Sequence, residues 1–186
     1  MGRIVSTMMV SADGITEAPV EWGMRYFDED QRRDAVKRML ISDGLLMGRL
    51  TYEAFAAVWP DRQGAFADRL NTLPKFVFSS SLAQAGWVNS TILPADDIAR
   101  AAARLKQETS GDLVVFGHGR LARTLLEAQL IDELRMAIKP VLVGKGEGLR
   151  SQKIRCDLTL ASCETFHNGV VVHTYRPDYA PRRAAA

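Results

Sequence analysis

Apolar residues in this 186-residue chain fall into short runs closed by glycine or serine, and the runs alternate with stretches of helical spacing. Ile4 to Val10 (Ile-Val-Ser-Thr-Met-Met-Val) is apolar and β-branched and predicts a central strand, ended by Ser11-Ala12-Asp13-Gly14. A loop with Pro19 and Trp22 follows. Asp28-Glu29-Asp30 place negative charge where a helix dipole favours it, and Val36, Met39 and Leu40 give that helix an apolar stripe before Ser42-Asp43-Gly44 ends it. Leu45-Leu46-Met47 reads as a short buried strand, Gly48-Arg49-Leu50-Thr51 as a turn, and Tyr52–Val58 and Asp61–Leu70 as helices. Lys75–Phe78 predicts a strand running into Ser79-Ser80-Ser81, and Ser90–Leu93 predicts another. After Pro94-Ala95-Asp96-Asp97, residues Ile98, Ala101, Ala102 and Leu105 share one helical face. Leu113–Phe116 is a strand that enters Gly117-His118-Gly119, and Leu121, Leu125 and Ala128 carry a helix onward. In Glu133–Lys139 the residues Leu134, Met136 and Ile138 alternate with Glu133, Arg135 and Lys139, the pattern of a strand with one covered face. Gly144-Lys145-Gly146-Glu147-Gly148 reads as a flexible loop, and Asn168-Gly169 between Leu158–Phe166 and Val170–Tyr175 as a hairpin turn.

Strands alternating with helices imply a largely parallel sheet covered on both faces, made mixed by the closing hairpin. There is no repeat and no break in composition, so the expectation is one domain over residues 1–178 with a loose tail at 179–186. Hydrophobic content of 47% and charged content of 25% suit a globular chain, and a net charge of +2 gives no reason to expect nucleic acid. No apolar run approaches the roughly 20 residues of a membrane span, and the N-terminus lacks a signal peptide pattern. Two cysteines, Cys156 and Cys163, in a strand-like region fit small buried or half-buried residues of a reduced, cytosolic protein. Three scattered histidines give no metal site.

The candidate chemistry lies at three strand ends: Gly48-Arg49-Leu50-Thr51, Ser79-Ser80-Ser81 and Gly117-His118-Gly119-Arg120. In an open parallel sheet ligands sit beyond the carboxyl ends of the strands. These turns offer amide donors, hydroxyls and two guanidiniums to a phosphorylated ligand, and a guanidinium grips phosphate with two hydrogen bonds. Gly117-x-Gly119-x-x-Ala122 matches the loose dinucleotide fingerprint, although glycine there also serves simply to turn the chain. A Rossmann domain fits poorly, because its glycine turn follows the first strand and its acidic residue ends the second. A Walker-A loop is excluded, since Gly144-Lys145 continues into Gly146. Thr51 also suits an N-cap, and Asp28–Asp30 a solvated helix start.

Met47-Gly48-Arg49-Leu50-Thr51-Tyr52-Glu53, Val77-Phe78-Ser79-Ser80, Gly117-His118-Gly119, Ile131-Asp132-Glu133-Leu134 and Pro140-Val141-Leu142-Val143-Gly144-Lys145-Gly146 together resemble the dihydrofolate reductase superfamily. Ser11-Ala12-Asp13-Gly14 narrows the resemblance to the reductase domain of riboflavin biosynthesis, the C-terminal half of bifunctional deaminase-reductases, over about residues 3–176. The resemblance implies a three-layer α/β/α fold on a mostly parallel mixed sheet of about eight strands. It implies NADPH as cofactor and a homodimer without nucleic-acid or membrane partners. It implies cofactor contacts at Gly48, Arg49, Thr51, Ser79, Ser80, Gly117, His118, Gly119, Arg120 and Leu121, with the serines beside the adenosine 2′-phosphate. Asp13 and Gly14 match the segment near nicotinamide and substrate, and Asp28 lies where a folate reductase carries its pterin carboxylate. Asp13 is the candidate for proton delivery or substrate orientation. Phe116 stands where the riboflavin reductases often carry an acid, and the expectation is a reductase unit without the deaminase half. Two functions follow: hydride transfer from NADPH to C=N or C=O of a pyrimidine- or pteridine-like small molecule, or a nucleotide-sensing module with little turnover.

Overall fold

The computed structural model describes residues 1–152 and 154–179. In chain order the elements are β1 (Arg3–Ser11), α1 (Pro19–Gly23), α2 (Glu29–Leu40), β2 (Ser42–Gly48), α3 (Arg49–Ala56) and α4 (Ala65–Thr72). Then come β3 (Lys75–Phe78), β4 (Ser90–Leu93), α5 (Ile98–Glu108), β5 (Asp112–Phe116), α6 (Arg120–Glu127), β6 (Glu133–Lys139), β7 (Asp157–Thr165) and β8 (Val171–Asp178). The eight strands form one sheet in the order β4-β3-β2-β5-β1-β6-β8-β7. The first six of that order pair in parallel, while β8 runs antiparallel to both β6 and β7. This is the mostly parallel mixed sheet that the alternation of runs predicts.

The pleat sorts side chains into two cores. Ile4, Leu46, Leu113 and Val115 pack against Ala102 and Leu105 of α5 and Leu121, Ala122 and Leu125 of α6. Leu45, Met47, Val77 and Val114 pack on the other face against Met39 of α2, Tyr52 of α3 and Leu70 of α4. Helices on both faces make three layers.

Several local expectations shift. Ser42-Asp43-Gly44 does not merely end α2 but opens β2, because Asp112 N bonds Ile41 O and brings β5 alongside. The helix expected at Asp61–Leu70 spans Ala65–Thr72. The segment read as a loop around Pro19 contains α1, with proline in its first turn. Thr51 is not a cap; Gly48 caps α3 and Thr51 sits inside its first turn. The hairpin loop has three residues, closed by Phe166 N to Val170 O at 2.9 Å. The charged face of β6 is buried: Arg135 bonds Asp34 at 3.2 Å and Lys139 bonds Gln31 at 2.5 Å, both under α2. Cys163 is exposed on β7. β8 runs to Asp178, and the Tyr179 hydroxyl donates to Ile131 O at 2.8 Å. Residues 180–186 lie outside the described residues.

Candidate functional site

Register fixes the three candidate turns relative to one another. Gly48 at the end of β2 stands opposite Phe78 at the end of β3, so Arg49 and Ser79 leave adjacent strands together. Leu46 stands opposite Val115, which brings Gly117 level with Gly48 on the other side. With strands about 4.8 Å apart, Ser79, Gly48 and Gly117 lie within about 10 Å along one rim. Gly117 takes φ +84°, a conformation that favours glycine, and its N–H bonds Thr7 O at 2.8 Å, pinning this turn to β1.

Two helices, α3 and α6, start at that rim. α2 and α5 are capped by the carboxylates of Asp28 and Asp97, which accept from Gln31 N and Arg100 N. α3 and α6 are capped by Gly48 and Gly119, with no side-chain cap and no acidic residue in the first turn. Each instead opens with arginine, Arg49 and Arg120. A helix N-terminus leaves backbone donors unsatisfied and favours negative charge, so bare caps and leading cations fit an external anion. Space is available: a Cβ on Gly117 or Gly119 would meet nothing within 4 Å, and one on Gly48 would approach only Leu121 Cβ at 4.0 Å. Arg49 holds Glu53 at 3.0 Å in a half-exposed pair, weak enough to be exchanged for phosphate. Burial and the nearby Arg123 push the His118 imidazole pKa down from its ordinary value. Ser79 Oγ accepts from Ser81 N at 3.1 Å and Leu82 N at 2.9 Å and shapes its turn, while Ser80 is exposed.

The second region lies at the ends of β1 and β6. Asp13 accepts from Ser11 Oγ at 2.5 Å, Val143 N at 3.1 Å and Gly144 N at 2.7 Å. These bonds hold its pKa at about 2, so it is ionised at neutral pH. The carboxylate is a clamp that orients its turn. Glu17 adds a bond from Glu147 N at 2.7 Å, and Gly148 passes so near Gly14 that a Cβ would lie 2.2 Å from Gly14 O. The glycine-rich loop expected to be flexible is laced to the first turn. Replacing Asp13 by Ala is expected to speed hydrogen exchange at the Val143 and Gly144 amides about tenfold or more, with little change in melting temperature because the site is exposed. Lowering pH releases the same clamp only as it falls from about 4 toward about 2, the window between the unfolded and folded values.

Between the two regions lies a half-buried strip of the sheet, with Gly23 of α1 packed over its Met9 end. Thr7 and Met9 of β1, Phe116 of β5 and Phe55 of α3 are half-buried although β1 and β5 are central strands, and the Phe55 and Phe116 rings stand 5.2 Å apart. The strip is apolar and aromatic, and its two phenylalanines pack against the core of Leu45, Met47, Val77 and Val114. Lys139, Gln31 and Asp28 sit at its β6 side: Lys139 bonds Gln31 Oε1, and Asp28 accepts Gln31 N at 3.0 Å as the cap of α2. Burial pushes the Lys139 ammonium down to about 8, and Asp28 opposes that.

Gly48, Arg49, Ser79, Ser80, Gly117, His118, Gly119, Arg120 and Leu121 thus share one rim, with Thr51 a turn into α3. Asp13, Gly14 and Asp28 lie at the neighbouring strand ends. Sequence reasoning did not single out Thr7, Met9 and Phe55, nor the buried pair of Gln31 and Lys139. Only the pleat and register place Thr7 and Met9 on the same face as Phe116. Among the described residues no group of three His, Cys, Asp or Glu side chains is placed to hold a metal ion.

A mostly parallel sheet with glycine and serine turns aligned at one rim and an antiparallel hairpin at one edge defines the α/β domain of dihydrofolate-reductase type. The chain belongs to the RibD C-terminal domain family, whose model matches residues 3–172. It resembles the uncharacterised Bacillus subtilis protein YyaP, with 26% identity over 182 residues that cover 93% of this chain and 94% of that one. Its fold matches a pyrimidine reductase-like protein of Corynebacterium diphtheriae, with TM-score 0.67, 13% identity and coverage of 96% of this chain and 92% of the other. It also matches Acinetobacter baumannii RibD with TM-score 0.66 and 14% identity, where 96% of this chain corresponds to 58% of that longer one. Among the described residues no helix is long and apolar enough to cross a membrane.

Proposed function

We propose that this chain is an NADPH-dependent reductase acting on a flat, polar heterocycle, a pyrimidine or pteridine, in a reduced cytosol. The observation that carries the reading is the alignment of Gly48, Ser79 and Gly117 on adjacent strands with two bare helix N-termini between them. A pyrophosphate needs such donors, and the absence of a Cβ at Gly117 and Gly119 leaves room for it. The amides of α3 and α6 with Arg49 and Arg120 would hold the phosphates, and Ser80 the adenosine end. Bound NADPH supplies the hydride. The residues of the chain do the rest: Thr7, Phe55 and Phe116 would face a ring, orient it and exclude water, while the Asp13 clamp fixes the turn at the end of the same strand. NADPH oxidation followed at 340 nm with pterins, pyrimidines and quinones tests the reading. Turnover on one class is expected, with an apparent KM for NADPH raised about tenfold or more by Arg49→Ala and a substrate KM nearly unmoved. Saturable NADPH binding without any turnover would instead favour the sensing module.

The active form is a homodimer built on β7. This nine-residue edge strand is exposed along most of its length, including Leu158 and Leu160. Its charges lie toward its ends, at Asp157 and at Glu164, which pairs with Arg38 at 3.0 Å. An edge with neither lysine nor proline is a template for another strand, and antiparallel self-pairing across a twofold axis satisfies it. Light scattering is expected to give a dimer for the wild type and a monomer for Leu160→Lys. A monomeric wild type contradicts it.

A further inference from the structure

A separate hollow of about 390 Å³ opens at the ends of β3 and β4, lined by Ser79, Ser80, Ile92, Pro94, Ala95 and Asp96. Phe78 is in register with Gly48 on one side and Leu93 on the other, so the hollow continues the rim of turns away from Gly117. A dinucleotide whose pyrophosphate lies at Gly48 and Gly117 places its adenosine ribose at this hollow. Ile92 and Pro94 offer apolar surface to a base. Ser79 Oγ already accepts two backbone N–H groups, and Ser80 adds a second hydroxyl. The one charged side chain in the lining is the carboxylate of Asp96. It does not cap the following helix, a task taken by Asp97 through Arg100 N, and Arg100 leans toward Asp97 at 3.9 Å. The cation on the other side, Arg49, is engaged by Glu53.

We propose that Asp96 sets the dinucleotide selectivity of this chain: its carboxylate accepts a hydrogen bond from an unphosphorylated ribose 2′-hydroxyl and repels a 2′-phosphate. The inference rests on the reductase reading and refines its cofactor. A carboxylate beside the ribose selects an unphosphorylated dinucleotide, whereas an arginine accommodates the phosphate. With Arg49 held for the pyrophosphate and Asp96 the one charge in the lining, the protein binds NADH within about tenfold of NADPH. A single charge facing a phosphate dianion across an open, hydrated hollow is worth about three- to tenfold in affinity at low salt and less once screened.

The test is calorimetric titration of the wild type and Asp96→Asn with NADPH and with NADH, at about 50 mM and about 500 mM salt. The wild-type dissociation constants are expected to agree within about tenfold, and Asp96→Asn is expected to shift the ratio toward NADPH by about three- to tenfold at low salt, the shift shrinking at high salt. Asp96 is exposed in a loop, so the variant folds. A ratio left within about twofold of the wild type, with both dinucleotides still bound, overturns the assignment and spares the reductase reading. Binding of neither dinucleotide overturns both.

Discussion

Gly119→Asp is expected to abolish dinucleotide binding while leaving the protein as stable as before or slightly more so. Gly119 has φ −85° and ψ −166°, extended backbone open to any residue, and a Cβ there meets nothing within 4 Å. It caps α6 without a side-chain bond, and aspartate is among the best residues for that position. The new carboxylate would accept the first amides of α6, adding a few tenths to about 1 kcal/mol of stability. Those are the donors proposed for the pyrophosphate, and the added charge repels it. Losing them and gaining the repulsion is worth about 3 kcal/mol, or about a hundredfold or more in the dissociation constant for NADPH. Melting temperature and affinity therefore move independently. If Gly119 served only to turn the chain, the affinity would not change.

Lys75→Met is expected to give the largest loss of stability among single polar substitutions. Lys75 is fully buried in β3, and its ammonium donates to Asn71 O and Leu73 O at 2.9 Å and to Val88 O at 3.0 Å while standing 4.2 Å from the centre of the Trp87 ring. Three turns of chain meet on that one group. Methionine fills similar volume but strands three carbonyls, a loss of about 3 kcal/mol, or roughly 6–12 °C in Tm for a chain of this size. Burial lowers the Lys75 pKa to about 8, although the three carbonyls and the ring favour the charged form and work against that shift. The unfolded chain then binds more protons than the folded one between about pH 8 and the ordinary value of 10.5, so wild-type stability rises with pH across that window. Lys139, also lowered to about 8, adds to the rise. Cys156 and Tyr179 are raised by burial and pull the other way above their ordinary values of 9.0 and 10.0. The difference between wild type and Lys75→Met isolates the lysine: chemical denaturation at about pH 7.5 and about pH 9.5 should show the variant losing part of the upward slope, and parallel slopes would contradict it.

What could be read from the sequence was what is encoded locally. The strand runs, the glycine turns that close them and the apolar stripes of α2, α5 and α6 all follow from patterns within ten or fifteen residues. The nature of the rim was legible for the same reason, since Gly48-Arg49, Ser79-Ser80 and Gly117-His118-Gly119 each sit at a strand end. Their alignment was not, because it depends on the strand order β3-β2-β5, which no local pattern states. The misreadings share a cause. Lys139 and Arg135 look like a solvated face until Gln31 and Asp34, about a hundred residues away in sequence, are packed over them. Asp13 looks like a free acid until the Val143 and Gly144 amides, about 130 residues on, close around it. Cys163 looks buried or half-buried because an edge strand and an inner strand share the same alternation.

The most direct measurement is a backbone amide shift map of the protein titrated with NADPH. The expected result is a saturable set of changes at Arg49, Leu50, Ser80, His118, Gly119 and Arg120, which the fold gathers at the ends of β2, β3 and β5. No saturable change, or changes confined to other surfaces such as β7, would contradict the claim that these turns form one dinucleotide site.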